Sequence, residues 1–299
     1  MSRTKPALTV AARLEAPAVR AGLALLGALP PAAASRAAGA VAATIGPLLP
    51  VSRVADANLR LALPGLDTQA RARVIRGVWR SLGQTVGEFP HLPDLRQTAD
   101  GPGWEIEDAD ILAAVLSHPG PTIFFSAHMG NWEVFAPAAR AHGVAVPAFY
   151  RAASNPQVDA LINGIRRRAS GPGVENFAKG AQGARRAAAH LARGGTMAML
   201  VDQKLNDGIE ARFFGRPAMT APALATLARR YRCQVVPARC DRIAPARIRI
   251  AIEAPLPLPD TGDRAADIQL LTQAVNDVIE RWIRARPDSW LWLHRRWPA

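Results

Sequence analysis

From residue 122 onward the chain alternates short apolar runs with segments of helical period, and few architectures accommodate that alternation. Strand, helix and strand in succession bury their apolar faces when the strands line up in a largely parallel sheet and the helices cover it. The pattern predicts a strand over 122–127, a helix over 132–142 stopped by Gly143, and a strand over 144–150. The rhythm then repeats: helix 180–193, strand 197–202, helix 222–232, strands 234–239 and 247–253, and a closing helix 264–286. No repeat of fixed period accompanies it.

Upstream, Val74, Val78, Leu82 and Val86 recur at spacing four, which predicts a helix over 67–88 capped by Asp67 or Thr68 and ended before Pro90 and Pro93. The first 63 residues are different: Pro17, Pro30, Pro31, Pro47 and Pro50 punctuate weakly apolar stretches and should end or bend any helix there. Arg13, Arg20, Arg36, Arg53 and Arg60 stand between those stretches. Short helices lying in a membrane interface, with guanidinium heads at lipid phosphates, would read this way. So would a helical cap packed on the rest of the chain, and the two are compatible. A secretory leader also meets the pattern at Arg13, Arg20 and the apolar 21–29, although that stretch starts late for one. No charge-free run of about twenty strongly apolar residues is present, as a spanning helix would need. The expected organisation is a membrane-associating helical segment over 1–63 and an α/β domain over 64–299.

A formal charge of +13 calls for an anionic partner: nucleic acid, an acidic carrier protein, a phosphorylated substrate or an anionic membrane. Lysine occurs only at Lys5, Lys179 and Lys204, so arginine excess is a compositional habit here and does not by itself indicate phosphate recognition. Nucleic acid is disfavoured because basic and aromatic residues do not interleave as in a binding module. With only Cys233 and Cys240, neither a disulfide scaffold nor a multi-cysteine zinc site is available, and no metal site is expected.

The chemistry-bearing segment is His128-Met129-Gly130-Asn131-Trp132-Glu133, where the first predicted strand gives way to a helix. Ligands of open α/β sheets collect at such carboxyl ends of strands. On one regular helix His128 and Glu133 would stand about 140° apart and could not face each other. With His128 on the turn, Gly130 permitting a tight bend and Asn131 near the cap, Glu133 could fold back to the imidazole. A carboxylate on one ring nitrogen would hold the tautomer while the other nitrogen takes a proton from a hydroxyl, which is general-base catalysis. The N–H groups opening the next helix are candidates for oxyanion stabilisation. No G-x-S-x-G nucleophile motif appears, so direct transfer from a thioester to a hydroxyl is the simplest scheme. A histidine that merely caps or packs a helix start would look alike.

The H-x-G-N-W-E core resembles the signature of the lipid A lauroyl/myristoyl acyltransferase family, the glutamate-bearing branch of the H-x4-D/E acyltransferases. Asn58-Leu59-Arg60 with Leu63-Pro64, Tyr150-Arg151 with Asn155-Pro156, the arginines at 166–168 and Asp202-Gln203 resemble further blocks in the family's order. The Phe213-Phe214-Gly215 turn with Thr220, Val235-Val236-Pro237 and the terminal Trp292-Leu293-His294-Arg295-Arg296-Trp297 complete a series spanning roughly Asn58 to the C-terminus.

The resemblance implies a glycerolipid-acyltransferase-like α/β fold on the cytoplasmic face of an inner membrane. It implies His128 as base and Glu133 as its charge partner. Asn131, Arg151, Asn155, Arg166, Arg167 and Asp202 become substrate-binding candidates, with the choice between Arg166 and Arg167 open. Asn155, Asp159, Asn163 and Arg166 or Arg167 recur at helical spacing opposite Val158, Leu161, Ile162 and Ile165, which suits a binding stripe or a solvated face. Asp202 could face the crevice or cap its strand. The terminal tryptophans fit a headgroup-level anchor or core packing. The implied donor is acyl carrier protein or coenzyme A thioester, with no other cofactor, and the implied acceptor is a hydroxyl of a lipid A precursor. Two rivals remain: the same chemistry on another membrane lipid, and an idle membrane-binding homologue.

Overall fold

The computed structural model describes residues 10–297. The first nine residues of the expected 1–63 segment and the last two of 64–299 lie outside it. The N-terminal helices are α1 (Val10–Gly27), α2 (Pro31–Ile45) and α3 (Ser52–Ala62). Pro31 opens α2, where its missing N–H costs nothing, whereas Pro17 sits inside α1. Among the described residues no single helix is long and apolar enough to cross a membrane. The stretch Pro31–Leu48 with Ser52–Ala62 passes only as a pair bent by 82°.

Helix α4 (Thr68–Glu88) starts where expected, with Asp67 Oδ1 accepting the Ala70 N–H at 2.7 Å. The stripe at spacing four does not hold: Val78 is buried but Val86 is exposed. The covered surface changes along the helix, from the main core at its start to α2 at its end. Ile75 and Val78 join the core, whereas Gly83 and Gly87 face α2. A Cβ on Gly83 would lie 2.4 Å from the Ala38 carbonyl oxygen and one on Gly87 2.4 Å from that of Ala34. The alanine-rich α2 and α4 therefore pack backbone against backbone.

The remaining elements are β1 (Gly103–Glu107), α5 (Ala109–Leu116), β2 (Thr122–Ser126), α6 (Phe135–Ala141), β3 (Phe149–Tyr150), α7 (Pro156–Ser170), β4 (Phe177–Ala178) and α8 (Ala181–Ala192). They continue as β5 (Thr196–Leu200), β6 (Lys204–Phe213), β7 (Arg216–Thr220), α9 (Ala223–Tyr231), β8 (Gln234–Ala244), β9 (Arg247–Ile252) and α10 (Arg264–Ala285). The central sheet has the order β1-β9-β8-β2-β5 and is parallel at every pairing except the β8–β9 hairpin. Ile123 and Phe125 of β2 pack with Ile279 and Trp282 of α10 in one buried cluster. On the other face Phe124 joins Val236, Val115 of α5 and Ile165 of α7. Helices thus cover both faces of a mostly parallel sheet, giving a mixed α/β fold.

Two expectations change. The 144–150 strand shrinks to β3 because Pro147 has no N–H to donate, and upstream only Ala148 bridges Ala198 of β5. The 132–142 helix opens as a single 3-10 turn, Trp132–Val134, before α6. The β6–β7 hairpin was visible only as its turn, since 204–212 is too polar to read as a strand.

Candidate active site

His128 stands two residues past the end of β2, and Asp202 two residues past the end of β5. Ser126 and Leu200 are register partners in these parallel neighbours, and Val201 N–H continues the ladder to the Ser126 carbonyl. Equal steps beyond a parallel pair bring both residues to the same sheet edge. There His128 Nδ1 lies 2.8 Å from Asp202 Oδ1, and the His128 backbone N–H donates to Oδ2 at 3.0 Å. Trp290 Nε1 donates to the same Oδ2 at 2.7 Å.

A carboxylate can only accept, so Nδ1 carries the proton and Nε2 keeps its lone pair. Burial opposes charge on both partners, yet the pair overrides it. The Asp202 charge and hydrogen bond hold the imidazole above its ordinary 6.5, and His128 keeps the fully buried Asp202 well below the carboxylate range. Glu133 adds a smaller upward push on His128 and Lys179 a downward one.

The loop carrying His128 is held from three sides. Gly130 has φ +56°, and a Cβ there would lie 2.0 Å from the Cys240 carbonyl oxygen, so glycine alone fits. Its carbonyl accepts from Thr85 Oγ1 at 2.9 Å, and its N–H donates to the Ser289 carbonyl at 3.3 Å. The Leu291 N–H donates to the His128 carbonyl at 3.0 Å, so the C-terminal segment forms a strap across the loop. Asn58 fastens that strap by donating to the carbonyls of Trp292 and His294. Trp290 and Trp292 are fully buried, which sets aside the headgroup-anchor reading for them.

Glu133 does not meet the imidazole. Its carboxylate takes both the Nε and the Nη2 hydrogens of Arg166, whose guanidinium lies over the Phe89 ring. The expectation that Glu133 is the histidine's bonded partner is therefore corrected to Asp202. The physical reason is the turn after Asn131, which aims Glu133 across the crevice to α7 while the sheet register delivers Asp202. Of the two arginines left open, Arg166 lines the cavity, whereas Arg167 is exposed and absent from its wall.

Asn131 also changes role. It is fully buried, its Oδ1 accepts the Glu133 N–H at 3.2 Å, and its Nδ2 donates to Glu88 Oε2 at 2.7 Å. Both ends of the amide being occupied by protein, it orders the loop and is not a substrate contact. That bond also uses the Glu133 N–H, one of the groups expected to serve an oxyanion. Asn155 caps α7 by accepting the Gln157 N–H and donates to Glu15, so it too faces protein. Asp159 accepts from Asn163 and from the Ala153 N–H, which knits the polar stripe internally. Arg151 is exposed at the cavity wall.

That cavity has a volume of about 800 Å³ and runs from His128, Trp132 and Glu133 to Leu112, Ile106 and Ile250 beneath the sheet. Arg151, Arg166, Lys179 and Lys204 line it beside an otherwise largely apolar wall. The His128 ring is partly exposed there, edge-on to Trp132 at 5.1 Å between centroids. Reading the sequence missed Trp290 and Glu88. Trp290 lies 162 residues from His128 in the chain, and no local pattern links them. Glu88 accepts from Ser35, Asn131, Ala246 N–H and both arms of Arg242, yet in sequence it is one acid at a helix end.

Residues 2–299 match the family described as bacterial lipid A biosynthesis acyltransferase. No curated protein sequence matches the chain. Among solved structures, the chain is similar to the 1-acyl-sn-glycerophosphate (LPA) acyltransferase PlsC from Thermotoga maritima, at 13% identity and a TM-score of 0.41. That alignment covers 83% of this chain and 99% of the other. So distant a likeness carries no functional argument.

Proposed function

The chain belongs to the bacterial lipid A biosynthesis acyltransferase family and is an acyltransferase, and from that premise we propose that His128 and Asp202 carry its chemistry on a lipid A precursor. One observation supports this most: a carboxylate-held imidazole whose second nitrogen has no partner among the described residues, at the wall of a largely apolar cavity. His128 Nε2 takes the proton of the acceptor hydroxyl as its oxygen attacks the thioester carbonyl. The tetrahedral intermediate collapses, the C–S bond breaks, and the departing thiolate receives the proton from Nε2. Asp202 holds the tautomer and stabilises the transient imidazolium. No separate cofactor is required.

The apolar wall suits a fatty acyl chain, and Arg151, Lys179 and Lys204 suit phosphate groups of donor or acceptor. Acyl carrier protein is the favoured donor, because an acidic carrier would be steered by a chain of charge +13. The acceptor is a hydroxyl of a glycolipid presented at the inner face of the membrane. Exposed apolar side chains of the N-terminal helices, Leu14, Leu25, Val41, Ile45 and Leu48, support docking at that surface.

Incubating the purified protein with acyl carrier protein thioesters and a tetra-acylated lipid A precursor tests the reading. Mass spectrometry should show one added acyl group, absent with His128→Ala. Acylation of another membrane lipid in preference to the precursor would overturn the acceptor. No transfer from any thioester would overturn the assignment of these residues.

A further inference from the structure

A second cavity, of about 580 Å³, runs along α2 and α4 and shares no lining residue with the first. Arg36 of α2 and Arg76 and Arg80 of α4 converge on it, one helical turn apart in the case of the α4 pair. All three are exposed, and none of their side chains has a hydrogen bond, ion pair or ring contact with another described residue. By contrast, Arg71 of α4 and Arg60 of α3 share Asp56. Among the described residues no carboxylate lines the groove.

Three like charges around one hollow repel each other unless an anion sits among them. Guanidinium groups suit phosphate above other anions, because they donate in parallel pairs. The apolar surroundings narrow the ligand further. Leu48, 83% exposed, lines the groove itself, while Val41 and Ile45 at 59% and 54% continue the apolar surface along α2. A free phosphate or an acidic protein helix gives those side chains no reason to stand in water. A phosphate carrying hydrocarbon tails does.

We propose that this groove holds the phosphate headgroup of an anionic membrane phospholipid, with Leu48, Ile45 and Val41 against its acyl chains. The proposal rests on the membrane-surface reading above and adds a defined lipid contact to it. Because Arg76 and Arg80 share α4 with Thr85 and Glu88, the bound lipid would sit on the helix that also supports the catalytic loop.

Vesicle sedimentation tests it, using phosphatidylcholine alone or with a third of phosphatidylglycerol. Wild type should bind the mixed vesicles more tightly. The triple variant Arg36→Gln, Arg76→Gln, Arg80→Gln should lose roughly a hundredfold on mixed vesicles, at about fivefold for each basic residue near the surface, and bind neutral ones as before. A control triple, Arg185→Gln, Arg193→Gln, Arg232→Gln, removes equal charge outside the groove and should lose under tenfold. The lysine triple at the groove keeps charge without the paired donors and should recover part of the loss. Acyl transfer to detergent-dispersed acceptor should be unchanged in the groove variants.

Equal losses in the groove and control triples would overturn the groove. So would unchanged vesicle binding in the groove triple, or a defect confined to binding of acyl carrier protein. Failure of wild type to bind either vesicle would instead overturn the membrane-surface reading and the groove with it.

Discussion

The Nδ1 of His128 and Oδ1 of Asp202 lie 2.8 Å apart because each residue stands two steps beyond a register pair of adjacent parallel strands. That relationship, and not the five-residue spacing to Glu133, supplies the carboxylate on the imidazole. We expect His128→Ala to lower kcat by about two to four orders of magnitude. Asp202→Asn should fall in the same range, with KM for the thioester changed far less and the thermal melt still cooperative.

The pH profile should carry the signature of the pair. Transfer needs neutral His128, so kcat/KM rises with pH through the imidazole's pKa. Asp202 raises that pKa above its ordinary 6.5, which puts the midpoint of the acidic limb above it. Removing the charge in Asp202→Asn lowers the pKa and should move the limb to lower pH. Glu133→Gln should move it the same way by less, since its charge acts from farther off. A limb that moves more with Glu133 than with Asp202 would contradict the assignment.

Trp290 acts through Asp202. Its indole N–H stabilises the carboxylate charge at 2.7 Å, and Trp290→Phe removes the donor while keeping an aromatic ring in place. Asp202 then becomes more basic and holds the imidazolium more tightly. The acidic limb should shift to higher pH, opposite to Asp202→Asn. Loss of stability of about 1–3 kcal/mol is also expected, from the buried space left behind. A stability change with an unmoved limb would mean that Trp290 only packs.

Glu133 and Arg166 should behave as one unit. Glu133 accepts both Nε–H and Nη2–H of Arg166, so breaking the pair from either side leaves a partly buried charge beside the cavity. In a double-mutant cycle of Glu133→Gln and Arg166→Gln, the second substitution should cost much less in kcat/KM than the first. Additive losses would show that the two serve independent roles.

Glu88 is the strongest structural bet away from the chemistry. It is fully buried and accepts both arms of Arg242 as well as Asn131. Glu88→Gln leaves Arg242 short of its counter-charge and should cost about 3–5 kcal/mol in chemical denaturation. Adding Arg242→Met should recover much of it, because the orphaned charge is then gone. Lack of recovery would mean that Glu88 matters chiefly through Asn131.

Residues 122–286 disclosed an α/β chain because strand and helix patterns are local: each side chain's face follows from its neighbours a few positions away. His128, Gly130 and the cap at Asn131 were legible for the same reason, lying within one turn of backbone. Long-range order was not. Asp202 was visible as a strand end but not as the imidazole's partner, which depends on β5 lying beside β2 in one register. The local turn allows Glu133 to face His128, and only the placement of α7 shows that Arg166 awaits it. Trp290 reaches Asp202, and Glu88 reaches Asn131, from distant segments, and no spacing encodes such a meeting. Periodicity therefore determined the elements and the residue that carries the proton, while packing decided which carboxylate it leans on.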